Sequence, residues 1–345
     1  MNHNIENQNS QKILVTGGAG YIGSTISTIL SDFGYIPIIL DSSTSDYISS
    51  NNNHIFFHGD FSDEDNLETI FDLHPEISIV IHCAGLTSVP ESIQNPISYY
   101  TENTIKSMKL FRFLSKIGCK KVIYSSSGSI YQSVTNHPVK ETDNIEVKSP
   151  YATSKFLTET LLKDLCHFGA MKAIIFRYFN PIGSDPKYRT GARSNQQNSI
   201  LGKLIEISNQ KNTIFEINGN SWETVDGTAI RDYIHIWDLA LAHLNAIEKF
   251  DSLVNYSDLC NSQNCLTINL GSGVGTTVQE FFDEFKKISG TKIGHTIVEP
   301  RPGDVAGAYA NIERAKKVLS WSPSFSLASA IRDAIIWSKK IKTSD

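Results

Sequence analysis

Residues 15–24 read VTGGAGYIGS, joining the end of the apolar run KILV (12–15) to Ile22, Ile26, Ile29, Leu30 and Phe33, which recur at helical spacing. Gly17, Gly20 and Gly23 thus punctuate a strand-to-helix turn. In such a turn the first glycine permits the sharp reversal and the second lets backbone approach a pyrophosphate. The third packs helix on strand, while the helix N-terminus supplies N–H donors and positive potential. A glycine pattern alone is weak. Here a second apolar run, YIPIILD (35–41), ends in Asp41, at the distance expected for a carboxylate on an adenosine ribose. The pattern predicts a dinucleotide site. No lysine or arginine occurs from 13 to 105, so no local cation is available for a 2′-phosphate, and Asp41 would repel one. NAD is expected rather than NADP.

The runs HIFFHGD (54–60), SIVIHCAG (78–85) and KKVIYSSS (120–127) continue the series, with helical patterns between them. One of these, around Leu67, Ile70 and Phe71, has a capping-box signal at Ser62 and Asp65. Strands that alternate with helices predict an α/β fold with a doubly wound parallel sheet of the Rossmann type. After KAIIFRYFNPIG (172–183) the rhythm changes. A polar loop (184–198) leads to a helix, a short strand at 213–218, the stretch GTAIRDYIHIWDLALAHLNAIEKF, a strand at 266, and helices near 277–289, 311–319 and 327–340. The expected division is an NAD-binding domain over 12–180, rejoined by the chain around 230–275, and a smaller C-terminal α/β domain over 181–340 that binds substrate. Residues 1–11 and the Asn/Ser-rich run 42–53 read as a tail and a loop.

A net charge of -5 gives no reason to expect nucleic acid or anionic membrane as a partner. No apolar run is long enough to span a bilayer, and the polar N-terminus lacks a signal region. The five cysteines (Cys83, Cys119, Cys166, Cys260, Cys265) have no metal-ligand spacing. They read as thiols in a reducing compartment, and a cytoplasmic protein without metal is expected.

The segment SPYATSKFLTET (149–160) opens with an N-cap, Ser149, and a proline at the first helical position. Tyr151 and Lys155 then share a face, and Phe156, Leu157, Leu161, Leu162 and Leu165 keep helical spacing. Of the thirteen tyrosines, only Tyr151 has a lysine four residues on, which singles the pair out from a packed aromatic beside a solvated charge.

Together with these motifs, GD (59–60), HCAGLTSVPESI, YSSSGSIY, RYFNPIGS, DGTAIRDYIHIWDLA and EPRPGDVAGAYAN make a chain that resembles the extended short-chain dehydrogenases/reductases, and within them the UDP-sugar 4-epimerases, from about residue 12 to 340. The resemblance implies a catalytic group of Ser127, Tyr151 and Lys155. It implies NAD contacts from Gly17, Gly20, Tyr21, Ile22, Gly23, Asp41, Asp60 (on adenine), Phe61, Ala84, Gly85, Asn103, Tyr151, Lys155 and Tyr178. For the UDP-sugar substrate it implies Ser127, Ser129, Tyr151, Asn180, Asn198, Ser199, Arg231, Arg301, Asp304 and Ala308. The two arginines suit diphosphate oxygens. Tyr151 is expected to act as the base, its phenol lowered by the Lys155 ammonium and the positive nicotinamide.

The implied reaction interconverts UDP-galactose and UDP-glucose through a 4-keto sugar, with NAD retained. Related 4,6-dehydratases and decarboxylases place acids just after the catalytic serine or threonine, whereas Gly128, Ser129 and Ile130 follow Ser127 here. A non-catalytic NAD-binding regulator is the distant alternative, and the retained Tyr/Lys pair argues against it. Two positions depart from the family pattern. Thr87 stands where many relatives carry a cofactor-contacting lysine, and Ser199 where an asparagine is usual. The 251–265 stretch looks like a longer loop than usual. Ala308, aligned on Arg301, Gly303 and Asp304, is small at the position that gates the sugar's 2-substituent, which implies acceptance of N-acetyl sugars. The resemblance also implies a homodimer through helices near 96–117 and 150–168, with Phe111, Leu114, Leu161 and Leu165 as contributors.

Overall fold

The computed structural model describes residues 11–43, 54–193, 199–210, 214–255, 264–301 and 303–342. In β1 (Lys12–Thr16) Ile13 and Val15 project to one side and Leu14 to the other, and all three are fully buried. A strand buried on both faces needs a helix layer on each. The other strands are β2 (Ile36–Asp41), β3 (Ile55–His58), β4 (Ile79–His82), β5 (Lys121–Ser127), β6 (Lys172–Tyr178), β7 (Asn180–Ile182), β8 (Ile214–Asn218), β9 (Ile230–His235), β10 (Cys265–Leu270), β11 (Gly275–Thr277) and β12 (Gly294–Val298). Seven of them form one parallel sheet in the order β10-β6-β5-β4-β1-β2-β3. Its order reverses at β1, between β2 and β4, which opens a crevice at the carboxyl ends of those strands.

The principal helices are α1 (Tyr21–Asp32), α2 (Glu64–Leu73), α3 (Lys106–Lys116), α4 (Pro150–His167), α5 (Ile200–Ser208), α6 (Ile236–Glu248), α7 (Val278–Ser289), α8 (Glu313–Leu319) and α9 (Leu327–Lys342). On one side of the sheet, α1, α6 and α8 bury Ile26, Ile29, Leu239 and Leu319. On the other, α2, α3 and α4 bury Leu67, Ile70, Phe111, Leu114 and Leu162. A separate core, with Leu204, Phe215, Tyr233, Phe281, Phe282, Phe285 and Ile331, joins α5, α7 and α9 to the small sheets β11-β9-β7 and β12-β8. Among the described residues no helix is long and apolar enough to cross a membrane.

Several local expectations are corrected. Asp63, not Ser62, caps α2, its carboxylate accepting from Asp65 N at 3.0 Å. Phe33 lies past the end of α1 and is 53% exposed, because the packed face ends at Leu30. The return to the large sheet starts at α6 rather than at 230, since β9 pairs with β7 and β11. Residues 251–254 are helical within Phe250–Val254 rather than loop, while 256–263, Cys260 and the tail 1–10 lie outside the described residues. So does most of the 42–53 run. The single helix expected near 96–117 is instead a short helix Pro96–Tyr99, a π-helical segment Tyr100–Ile105, and α3. Phe111 and Leu114 face the sheet and are fully buried. They are therefore spent inside one chain and cannot meet a partner.

Two histidines brace the sheet. Thr16 Oγ1 meets His82 Nδ1 at 2.7 Å, and His82 Nε2 meets Ser107 Oγ at 2.8 Å. Ser107 spends its own proton on Asn103 O, so His82 donates from Nε2 and accepts at Nδ1. His243 donates to Leu239 O and accepts from Tyr178. Burial pushes His82 down to about 3 and His243 to about 4, so both stay neutral when folded. The unfolded chain takes up these protons below about pH 6.5, so stability is full above that value and is lost as pH falls toward 4. Urea unfolding at pH 7 and pH 5 should differ by about 3–4 kcal/mol from these two residues, at roughly 1.4 kcal/mol per pH unit each. A flat profile would show that they are not held neutral.

Candidate active site

The glycine turn is as tight as its spacing demands. Gly17 has φ +71°, and a Cβ there would lie 2.6 Å from Ala84 N. A Cβ on Gly23 would lie 2.3 Å from Gly17 O. Gly20 sits at the N-cap of α1 without a side-chain cap, so the first-turn N–H groups around Tyr21 and Ile22 face outward for an acceptor. At the end of β2, Asp41 accepts from Ala19 N at 2.9 Å and Ser43 N at 2.8 Å. These neutral donors fix the carboxylate beside the turn.

Asp60 accepts from Ser62 N and pairs with Lys106 at 2.6 Å, which with its hydrogen bonds outweighs burial and lowers its carboxyl. Phe61 packs under it against the His82 ring, at 5.0 Å between centroids. Gly85 (φ +144°) lies against Asn103, whose amide accepts from Leu86 N at 2.7 Å and donates to Leu86 O and Ser154 Oγ at 3.0 Å. Asn103 belongs to the π-helical segment, a feature that often marks functional positions. These groups fit a dinucleotide: bare backbone where a phosphate must approach, helix N–H donors, and a fixed carboxylate at the next strand end.

Beyond the turn, Ser149 caps α4 as expected, accepting from Ala152 N at 3.2 Å. The helix buries a polar face: Ala152, Ser154, Lys155, Thr158, Glu159 and Leu162 are inside, while Leu157 is 42% exposed. Lys155 Nζ donates to Ser125 O at 3.0 Å and sits over the Tyr124 ring, and burial lowers it to about 8. Ser127, at the end of β5, accepts from Ser129 N and donates to Ser129 Oγ at 2.9 Å. Tyr151 packs edge-on to Tyr99, with the Ser127 hydroxyl close enough to favour its ionised form. Burial raises its phenol, with the Ser127 hydroxyl opposing. The Lys155 ammonium donates to the β5 carbonyl, and the expected lowering of the phenol also draws on the nicotinamide charge.

Most of the other expected site residues hold partners within the chain. Tyr178 turns its hydroxyl into the sheet, between Ser125 (2.9 Å) and His243 (2.5 Å), and is 5% exposed. The Arg231 guanidinium holds the backbone carbonyls of Ile230, Val305 and Ala306. Arg301 reaches Asn218 Oδ1 at 3.0 Å, and Asp304 accepts from Arg301 N. Asn180 donates to Asp232 O. Ser199 caps α5, its hydroxyl accepting from Gly202 N at 3.1 Å. Ala308 follows Gly307 (φ +117°), and Asn198 lies outside the described residues.

Sequence reasoning missed Glu159 and Arg177. Glu159 continues the 151–155 spacing by one more turn, a signal that was present. It receives two hydrogen bonds from Arg177, at 3.0 and 2.8 Å, with both side chains buried. Arg193 was also missed. It donates from Nη2 to Ala19 O, so a cation does reach the glycine turn, from the other half of the chain.

A glycine turn at the switch point of a parallel sheet, facing a Ser–Tyr–Lys group, defines a dinucleotide-dependent enzyme of the short-chain dehydrogenase/reductase class. The profile of the NAD dependent epimerase/dehydratase family matches residues 13–259, and the chain belongs to that family. It is 36% identical over 339 residues to the UDP-glucose 4-epimerase of Yersinia enterocolitica, with 95% of this chain and 97% of that one covered. Its fold is similar to the crystal structure of UDP-glucose 4-epimerase from Bifidobacterium longum in complex with NAD+ and UDP, at TM-score 0.86 and 29% identity over 97% of this chain and 100% of that one. It is also similar to the UDP-Glc/GlcNAc 4-epimerase of Campylobacter jejuni, at TM-score 0.78 and 29% identity over 96% and 99% of the two chains.

Proposed function

We propose that this chain is a cytoplasmic, NAD-dependent UDP-glucose 4-epimerase that interconverts UDP-galactose and UDP-glucose. The observation that carries the reading is the placement of Ser127, Tyr151 and Lys155 around the end of β5, with Gly128, Ser129 and Ile130 next in chain and no acid to serve elimination. NAD, when bound, accepts the hydride from C4 of the hexose and returns it. The glycine turn, Asp41, Asp60 and the Gly85–Asn103 pair would hold it. Ser127 would hydrogen-bond the sugar oxygen and Tyr151 would take and return its proton. Because burial alone raises that phenol, the proton transfer relies on cationic charge facing it, and Lys155, one turn along the same face, is the chain's own source. Asn180, Arg231, Arg301 and Asp304 are assigned to the nucleotide part. For Arg231 this requires that it contact the ligand while still holding the 305–306 backbone.

Incubation with UDP-galactose and no added NAD should give UDP-glucose, resolved by chromatography. Tyr151→Phe should lower kcat by about 100-fold or more while UDP binding, read by calorimetry, survives. Turnover within a few-fold of wild type removes the role from Tyr151.

Ala308 supports a wider substrate range, because a small residue leaves volume for an acetamido group. UDP-N-acetylgalactosamine should therefore also be epimerised. Ala308→Tyr should selectively lower kcat/KM for it by about 5- to 150-fold, the effect of about 1–3 kcal/mol of overpacking. An unchanged ratio of the two substrates rejects the gate.

A homodimer is also proposed, with other apolar residues in place of the buried Phe111 and Leu114. Ile97 (80% exposed), Ile105, Met108 and Leu157 present apolar side chains on the outer faces of the Pro96–Lys116 region and α4. Light scattering at micromolar concentration should report a dimer, and Ile105→Glu with Met108→Glu a monomer of unchanged fold by circular dichroism. A monomeric wild type refutes the assignment.

A further inference from the structure

The loop that follows β7 is built against α1 rather than left in solvent. Tyr21 OH donates to Gly183 O at 2.8 Å, and the Thr25 and Thr190 hydroxyls meet at 3.2 Å. Arg189 pairs with Asp32 on α1 and with Asp185 in its own loop. Ser184 and Gly191 form an antiparallel bridge that closes the loop on itself. The next residue is pinned from α9: the Trp337 indole donates to Ala192 O at 2.7 Å, and a Cβ at Gly191 would lie 2.5 Å from that ring. Arg193 follows at once. Its guanidinium donates to Ala19 O, inside the glycine turn.

Among the described residues Arg193 pairs with no carboxylate, although its neighbour in the loop, Arg189, engages two. A guanidinium carries five donors in a planar fork suited to phosphate. Here one donor is spent on a neutral carbonyl beside the N-terminus of α1, where helix N–H groups already favour an anion. Two positive features thus converge on one point from positions 174 residues apart.

We propose that Arg193 is a further cofactor-binding residue, which places its charge on the pyrophosphate of the dinucleotide held at α1. This rests on the NAD-dependent reading above. It also accounts for the tolerance of threonine at position 87, since the cation is supplied from the other half of the molecule. Asp41, held by Ala19 N from the other side of the same residue, keeps the ribose end acidic, so the added charge serves the pyrophosphate without admitting a 2′-phosphate.

The test compares wild type with Arg193→Gln and Arg193→Lys as purified. NAD content is measured by acid extraction and mass spectrometry, and binding of NAD, ADP-ribose and adenosine by calorimetry on protein stripped of cofactor. Gln keeps a donor for Ala19 O and so preserves the loop contact while removing the charge. NAD and ADP-ribose should weaken by about 10- to 100-fold in Arg193→Gln, the effect of losing one charge-assisted hydrogen bond, while adenosine binding is unchanged. Arg193→Lys should recover part of the loss. Equal NAD affinity in Arg193→Gln and wild type overturns the proposal and leaves the NAD-dependent reading standing. Equal weakening of adenosine also overturns it, since the residue then acts only by shaping the turn. A wild type that neither carries nor binds NAD overturns both.

Discussion

The buried ion pair between Glu159 and Arg177 is the constraint on which the face carrying Ser127, Tyr151 and Lys155 depends. Arg177 comes from β6 and Glu159 from α4, and they meet through two hydrogen bonds with almost no solvent access. The same carboxylate accepts from Ser126 at 2.5 Å on β5 and from Lys163 one turn along. The same guanidinium reaches Tyr131 OH at 2.7 Å and Glu141 O at 3.1 Å, and Tyr131 continues to Asn269 on β10. Three strands and a helix are therefore tied at one depth. Removing one partner of such a pair costs about 3–5 kcal/mol, because the other charge is left buried and unpaired, whereas an apolar replacement of both often costs little. What the pair adds over an apolar contact is a fixed register. Ser126 precedes Ser127 and Glu159 lies one turn beyond Lys155, so the bond that joins them ties α4 to the end of β5 where the proposed catalytic group sits.

The sheet and the glycine turn were legible because their causes are local. Ile13, Leu14 and Val15 need burial on both faces wherever they are placed, and Gly17 and Gly23 leave no alternative residue at their contacts. What could not be read depends on distant chain. Nothing near Lys106 announces that a π-helical segment precedes it. Arg231 looked available for a diphosphate because two of the three carbonyls it holds belong to residues some 75 positions away. The Tyr178 hydroxyl faces His243, since strand alternation puts it with Ile174 and Phe176 on the α6 side, a placement its neighbours in sequence do not announce. The tyrosine–lysine face was recognised, but its third member, Glu159, gains its meaning only from Arg177 on another element.

The two halves of the chain are not independent bodies in their construction. Helix α6, which follows a strand of the small sheet, covers the large sheet beside α1, and β10 then extends that sheet past β6. Asp232, at the root of this crossing, accepts from Ser272 N, Gly273 N and Ala310 N and so gathers two loops of the second half. The walls of the cleft are thereby fixed relative to one another by covalent crossings and buried polar bonds.

The π-helical segment Tyr100–Ile105 carries a surplus residue relative to an α-helix of the same length. Each residue turns an α-helix by about 100°. A chain one residue shorter here would still form a continuous and more regular helix. It would, however, rotate Asn103 away from Leu86 and Ser154 while leaving Ser107 in place beneath His82, breaking the link between the Gly85 loop and α4. Length itself is therefore a functional trait of this segment: side-chain changes can be absorbed singly, but a single-codon deletion changes which side of the helix reads the loop.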